Sequence, residues 1–259
     1  MRIHVLASGS TGNAVLFRLG EQLLLIDAGI SARRIEHSMA ALGYRAGDLD
    51  AILVTHEHKD HVSGLRVLAR RYCIPVYTRA KTWQTLDCRD QLPPECIRVI
   101  DGVIDVGAVR VEAFPLSHDA VDPVGFCLHH KNKKVVLATD LGTITAEVEN
   151  ALAGAHALVL ESNHDPDMLA NGSYPHFLKQ RIKSPYGHLS NQQAALLLSR
   201  MPRPQMIQVF LAHLSQENNT PQLARETVSR ILANKGCQVG RDIILYPTHP
   251  HLVNSAALL

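Results

Sequence analysis

The sequence predicts an α/β protein with two mixed β-sheets flanked by helices. Short apolar runs typical of buried strands alternate with longer helical patterns along the whole chain. Several polar residues able to bind metal directly follow such apolar runs. The chain has 259 residues, of which 46% are hydrophobic, so it can fill a sizeable core. We therefore expect one domain over residues 1–259.

The elements can be assigned in order from apolar spacing and from the residues that interrupt it. The pattern at the start of the chain predicts strands at 3–7, 14–19 and 22–27, followed by a helix at 30–42 that ends at Gly43. The later strands are predicted at 51–54, 76–78, two or three segments within 97–116, 124–129, 134–139, 157–161, 206–212 and 242–246, the last of which closes the fold. The later helices are predicted at 62–72, 80–88, 145–153, part of 165–183, 190–201 and 220–235.

The loop after the strand at 51–54 is rich in metal-binding side chains. His56 and His58 lie two residues apart, so in an extended segment they project to the same side and can bind one ion together. Asp60 and His61 follow where the chain turns into a helix, and they can face a second ion. An ordinary charged loop is the alternative, but four ligand-type residues within six favour a metal site.

Three further candidates follow later strands. His118 comes after the strand that ends near residue 116, Asp140 after the strand at 134–139, and His213 after the strand at 206–212. Side chains at the carboxyl ends of strands meet at one edge of a sheet, where open α/β folds place their sites. The sequence therefore predicts that all seven residues converge.

This set resembles the HxHxDH signature and the later ligands of the metallo-β-lactamase-fold hydrolases. The resemblance implies an αββα sandwich with two divalent ions, which can be zinc, manganese or iron. It implies a first ion held by His56, His58 and His118, and a second held by Asp60, His61 and His213. It further implies that Asp140 and a water or hydroxide bridge the ions, while Asp60 also orients the nucleophile.

Several branches of that family fit less well. Asp140 stands where zinc β-lactamases carry Cys or Ser, which disfavours lactam hydrolysis. The interval between Asp140 and His213 is too short for the inserted domain of β-CASP nucleases. The chain after His213 is too short for the substrate domain of glyoxalase-II-type thioesterases, and no basic arm of the transfer-RNA 3′-processing enzymes is found.

Two residues between Asp140 and His213 point to acid catalysis. Glu161 and His188 lie in segments that resemble those of RNA-processing phosphodiesterases, in which a Glu–His pair donates a proton to the leaving oxygen. An alkoxide leaves poorly unless a metal or an acid stabilises it, so such a pair is chemically reasonable. The alternative is that His188 is a residue at a helix start, next to the N-cap Ser190.

The segments 8–13, 117–126, 161–165 and 187–191 together resemble the YycJ/WalJ-like branch of small bacterial phosphodiesterases. This resemblance implies 5′-to-3′ exonuclease activity on DNA. Candidate substrate contacts are Ser10 and Asn13 in a turn of small residues, His164, and the basic Arg181. Small residues would let backbone N–H groups approach a phosphate, although an ordinary hairpin and a solvated arginine are the simpler alternatives.

Composition leaves other functions open. A net charge of only +2 gives no global electrostatic argument for nucleic acid, although a local basic group exists at Arg66, Arg70, Arg71, Arg79 and Lys81. A phosphodiesterase for a small cyclic nucleotide or phosphorylated sugar, and a non-catalytic metal-binding regulator, are the alternatives. Five cysteines without paired spacing and the lack of a signal sequence or long apolar stretch predict a cytoplasmic protein with no membrane partner. The oligomeric state cannot be read from the sequence.

Overall fold

A computed structural model describes residues 1–202 and 205–258. The strands in this part of the chain are β1 Arg2–Ala7, β2 Ala14–Leu19, β3 Gln22–Ile26, β4 Ala51–Leu53, β5 Val76–Thr78, β6 Ile97–Val99, β7 Val103–Val106, β8 Val109–Pro115, β9 Val124–His130, β10 Lys133–Ala138, β11 Ala157–Glu161, β12 Ile207–Ala212, β13 Ile243–Pro247 and β14 Asn254–Ala257. The helices are α1 Ala32–Ala41, α2 Lys59–Val62, α3 Leu65–Tyr72, α4 Ala80–Thr85, α5 Ala146–Leu152, α6 Pro166–Asn171, α7 His176–Lys183, α8 Asn191–Arg200 and α9 Pro221–Asn234.

The strands form two mixed sheets. The first has the order β14-β1-β2-β3-β4-β5-β6, and the second has the order β13-β12-β11-β10-β9-β8-β7. In each sheet one part is antiparallel and the other parallel: β3 to β6 run parallel in the first, and β10 to β13 in the second. The predicted class, two mixed sheets flanked by helices, is confirmed.

Three apolar layers hold this arrangement together. In β3, Leu24 and Ile26 point into the layer between the sheets, whereas Leu23 and Leu25 point to the layer under α1 and α3. The third layer lies under α5, α8 and α9, against the outer face of the second sheet. Because both faces of the central strands are buried, these strands read as continuous apolar runs rather than alternating ones.

Two predicted boundaries were wrong. The strand near 242–246 does not close the fold, because β14 follows it and pairs antiparallel with β1. The short edge strand β14 is Asn-Ser-Ala-Ala, so it lacks the apolar pattern that identifies a strand. The helix predicted at 62–72 starts earlier, at Lys59, and is divided before Leu65. Gly64 lies at the division, where a Cβ would come within 2.3 Å of the Ile30 carbonyl oxygen.

In the described ranges, no helix combines the length and apolar character that crossing a bilayer requires.

Candidate metal centre

The seven predicted ligands meet at one edge of the sandwich, formed by the carboxyl ends of strands from both sheets. The loop after β4 carries His56 and His58, and the first turn of α2 carries Asp60 and His61. The second sheet contributes His118 after β8, Asp140 after β10 and His213 after β12. The site therefore lies between the two sheets and depends on both of them.

The donor atoms form two overlapping clusters. His56, His58 and His118 make one, and Asp60, His61 and His213 make the other, with the ligand atoms of each cluster within 4.8 Å of one another. Asp140 lies close to both clusters. Its Oδ2 is 3.3 Å from His61 Nε2, and its Oδ1 is 3.8 Å from His118 Nε2. A carboxylate has enough lone pairs to serve two ions from this position.

The chemistry of this cluster fits divalent cations. Among the described residues, the buried atoms His56 Nε2, His213 Nε2 and Asp140 Oδ2 have no hydrogen-bond partner, which is costly unless another species satisfies them. Burial lowers the pKa of His56 and His118, so both rings favour the neutral form that ligates metal. The donors of the site are imidazole nitrogens and carboxylate oxygens, which are ligands for several divalent transition metals.

The imidazoles of His61 and His213 lie in a negative environment. Burial opposes protonation of His61, but Asp27 and Asp140 outweigh it and raise the pKa well above its usual value. Burial also opposes protonation of His213, but Asp140, Asp60 and Glu161 raise its pKa to about 10. These carboxylates make the site favour positive charge, which is the property that a cation site requires.

Asp27 is a functional residue that the sequence reasoning missed. Its carboxylate accepts hydrogen bonds from the Thr55 backbone N–H at 2.9 Å and from His61 Nδ1 at 2.8 Å. The other nitrogen of His61 thereby faces Asp60 and Asp140. Asp27 directly follows the apolar strand β3, so the same strand-end signal that revealed Asp140 also marks it.

We expect Asp27→Asn to weaken metal binding about 10- to 100-fold, because the carboxylate fixes the ring orientation and raises the basicity of His61. Competition with a chromophoric chelator would measure the change in affinity. Asp50→Asn is the matched control, since the Asp50 carboxylate accepts a bond from Leu23 N at 2.7 Å, at the amino end of β4 and opposite the site. Equal metal affinity in wild type and Asp27→Asn would contradict this role.

Glu161 links the metal cluster to His188. Its side chain is fully buried, and its Oε1 accepts bonds from His188 Nδ1 and His213 Nδ1, both at 2.8 Å. Its Oε2 accepts bonds from the backbone N–H groups of Leu141 at 2.9 Å and Leu189 at 3.1 Å. Burial raises the pKa of Glu161, but the two histidines outweigh this and lower it to about 2. Glu161 is therefore an ionised carboxylate that orients both rings.

The turn at residues 8–13 positions the site rather than forming an isolated hairpin. The Asn13 backbone N–H donates to the Asp60 carbonyl at 2.7 Å, and the Asn13 side chain lies 3.1 Å from His61 Nε2. The Ser8 hydroxyl accepts a bond from the His213 backbone N–H at 2.6 Å. The turn thus connects ligands that come from the two different sheets.

A cavity of about 280 Å³ opens over the cluster. Of the four candidate substrate contacts, Ser10 and Arg181 line it, whereas the described lining does not include Asn13 or His164. His164 is buried beside α8, where its carbonyl accepts a bond from Asn191 N at 2.9 Å. The lining also contains residues that were not predicted as substrate contacts, namely Asn163, Tyr174, Leu178, Ile182 and Ser215.

Three residues at this edge have left-handed backbone conformations. The φ angles are 60° at Asp27, 63° at Asp140 and 54° at His213. Asp27 and His213 directly follow strands, and Asp140 lies two residues after one. The sharp change of direction turns each side chain toward the cluster. Non-glycine residues in this region cost about 1–3 kcal/mol each, so the site is built on strained backbone.

The sequence is similar to known proteins over most of its length. Residues 23–213 match the family model described as the beta-lactamase superfamily domain. The chain is 41% identical to exodeoxyribonuclease YycJ of Bacillus anthracis, covering 97% of each chain. It is 38% identical to exodeoxyribonuclease WalJ of Streptococcus pneumoniae, covering 95% of this chain and 93% of the relative.

A solved structure gives the same fold. The metallo-beta-lactamase fold protein YhfI from Bacillus subtilis superposes with a TM-score of 0.70 at 18% identity, covering 97% of this chain and 98% of YhfI. Fold and sequence agree with the predicted family and with its YycJ/WalJ-like branch. The chain belongs to the beta-lactamase superfamily and has the metallo-β-lactamase fold.

Proposed function

We propose that this protein is a metal-dependent phosphodiesterase that degrades DNA from a 5′ end. The observation that carries the proposal is the position of His188. It lines the same cavity as five of the seven donor residues, and its orientation is set by a buried, ionised Glu161. This combines a cation site with an acid in reach of a leaving group.

Two divalent ions fit the number and grouping of the donors. His56, His58 and His118 would hold one ion, Asp60, His61 and His213 the other, and Asp140 both. When bound, the ions lower the pKa of a water and stabilise charge on the attacking and leaving oxygens. Zinc, manganese and iron all suit this donor set, so availability in the cell decides among them.

The protein's own groups then have separate tasks. Asp60 is a member of the donor cluster, and its backbone is fixed by Asn13, so its carboxylate can orient the attacking water. His188 donates Nδ1–H to Glu161, which leaves Nε2 to give a proton to the leaving oxygen.

The substrate assignment is supported by the two relatives named as exodeoxyribonucleases, which match nearly the whole chain. We extend this activity to the present chain because its donor cluster and the Glu161–His188 pair supply the required chemistry. We also propose a cytoplasmic location, which the free cysteines Cys73, Cys88, Cys96 and Cys127 support.

The function can be tested with metal-free protein reconstituted separately with Mn²⁺, Zn²⁺ and Fe²⁺. We expect end-labelled DNA to be shortened from the 5′ end only when metal is present. The assay should begin at low salt, because phosphate contacts make nucleic-acid binding salt-dependent. RNA, a cyclic nucleotide and bis-p-nitrophenyl phosphate complete the panel. Turnover of the cyclic nucleotide with DNA left intact would favour an enzyme for a small substrate. No turnover of any substrate would favour a non-catalytic metal-binding regulator.

A further inference from the structure

The wall of the cavity formed by residues 174–186 differs chemically from the rest of the site. Tyr174, Leu178, Arg181 and Ile182 of this segment line the cavity. The segment also carries large aromatic side chains on its outside, with Phe177 73% exposed and Tyr186 61% exposed. Phe177 is thus the most exposed large hydrophobic side chain in the described part of the chain. A single exposed apolar residue is ordinary, so Phe177 points to a function only together with the other features of this segment.

The segment is also basic. Helix α7 contains Lys179, Arg181 and Lys183 and no acidic residue. Arg181 Nε donates to the Asp119 carboxylate at 2.5 Å, and this ion pair holds the guanidinium beside the cavity. A phosphate chain that leaves the metal cluster on this side therefore meets positive charge.

The Tyr186 end of the wall is held in place. The Pro185 carbonyl accepts bonds from the Ser117 hydroxyl at 2.7 Å and from the Thr143 hydroxyl at 2.8 Å. The Tyr186 carbonyl accepts a bond from Asp119 N at 3.1 Å. Tyr186 is thus presented on a fixed turn. Binding of a ligand to it therefore costs less conformational entropy of the protein than binding to a mobile loop would.

The other basic group on the surface is less suitable. Arg71 pairs with Glu36 at 2.6 Å, and Arg79 pairs with Asp101 at 2.8 Å. Arg181 is ion-paired as well, but it lines the cavity over the donor cluster, and the described lining includes no residue of 66–81. Exposed apolar residues elsewhere, such as Val99 and Leu252, are aliphatic and offer no aromatic face. Residues 174–186 alone among these surfaces combine exposed rings, basic residues and continuity with the cavity.

We propose that residues 174–186 form a stacking platform for unpaired nucleotides of the nucleic-acid strand whose phosphodiester lies at the donor cluster. This inference rests on the proposed nuclease function and specifies the form of its substrate. Phe177 and Tyr186 stack on bases, and Arg181 and Lys183 contact the backbone, as in single-strand binding sites. Bases in a duplex have their faces covered by neighbours, so the platform selects a strand with an unpaired end.

The size of the cavity agrees with a single strand. Its volume of about 280 Å³ is at the lower limit of small-ligand pockets, which run from about 300 to 1,000 Å³. A pocket of this size can accept part of one strand but not both strands of a duplex. We therefore expect a 5′-tailed or single-stranded DNA to be degraded faster than a blunt duplex.

The test compares Phe177→Leu, which keeps an apolar side chain but removes the ring, with Phe177→Tyr, which keeps the ring. Base stacking contributes about 1–3 kcal/mol per base, so we expect kcat/KM on single-stranded DNA to fall about 5- to 150-fold in Phe177→Leu and to change little in Phe177→Tyr. Tyr72→Leu is the matched control, because Tyr72 is an exposed aromatic residue on α3, an element that contributes no residue to the described cavity lining, whereas Phe177 is on α7, which contributes three. It should retain wild-type activity.

A substrate with abasic sites at the nucleotides next to the cleaved bond isolates the stacking contribution. Wild type should lose activity on it by a similar factor, whereas Phe177→Leu, which already lacks the ring, should lose much less than wild type does. Equal kcat/KM of wild type and Phe177→Leu on normal DNA would overturn the platform but leave the nuclease function intact. A wild type that cleaves no nucleic acid would overturn both. A drop in self-association of Phe177→Leu with unchanged kcat/KM would instead identify Phe177 as a contact between copies of the chain.

Discussion

Replacing Asp140 with Ala is expected to abolish hydrolysis and to lower metal content from near two equivalents to one or fewer. Asp140 lies within 3.8 Å of ring nitrogens from His61, His118 and His213, and its Oδ2 is buried without a hydrogen-bond partner. Removing its charge would leave two cations repelling each other at short range. Metal analysis of the reconstituted protein, together with turnover of DNA, would measure both effects.

Backbone strain must be separated from ligand loss in this experiment. Asp140 has φ of 63°, which alanine tolerates poorly but glycine adopts readily. Asp140→Gly should therefore fold at least as well as wild type and still lose metal and activity. Asp105→Ala, which removes an exposed carboxylate from β7, should change neither. Full occupancy of both ions in Asp140→Gly would show that Asp140 does not bridge them.

Replacing His188 with Ala is expected to lower turnover of DNA about 10²- to 10⁴-fold while leaving the metal content unchanged. The ring donates to Glu161 rather than belonging to either predicted ligand set, and its side chain is 20% exposed toward the cavity. Hydrolysis of a phosphodiester with a p-nitrophenolate leaving group should fall much less, because that anion leaves without protonation.

The comparison of two leaving groups distinguishes acid catalysis from positioning. If His188 only holds the substrate, both substrates should lose activity by the same factor. His37→Ala removes an exposed histidine on α1 and should match wild type on both substrates. Glu161→Gln is a less specific variant, because Glu161 also orients His213 and its replacement is expected to disturb the metal site.

The parts of the fold that the sequence predicted are those with a strong local signal. Apolar strands such as β3 and β12 are buried on both faces, and most helices begin at a capping residue or end near glycine. The edge strand β14 carries no such signal, since its pairing with β1 depends on residues at the far end of the chain. The interruption at Gly64 likewise depends on contact with Ile30, which is remote in sequence.

The same distinction applies to the site. Metal-binding residue types at strand ends identified the seven members of the donor cluster, because both the chemistry and the position of each are visible in the sequence. Asp27 shares that position, but its task is defined by His61 and Thr55, and these contacts exist only in three dimensions. The contact of Asn13 with substrate, predicted from a turn of small residues, stays a prediction, and the contacts of its side chain with His61 and Asp60 could not be read from the sequence.

The left-handed residues at 27, 140 and 213 also bear on how such a protein responds to selection. Glycine relieves the strain at each position, so selection for thermal stability alone would favour sequences that lose the acidic or imidazole side chain there. Selection for activity acts in the opposite direction at the same three codons. Efforts to stabilise this enzyme should therefore leave these strand ends unchanged and seek their gains in the helices that cover the outer faces of the sheets.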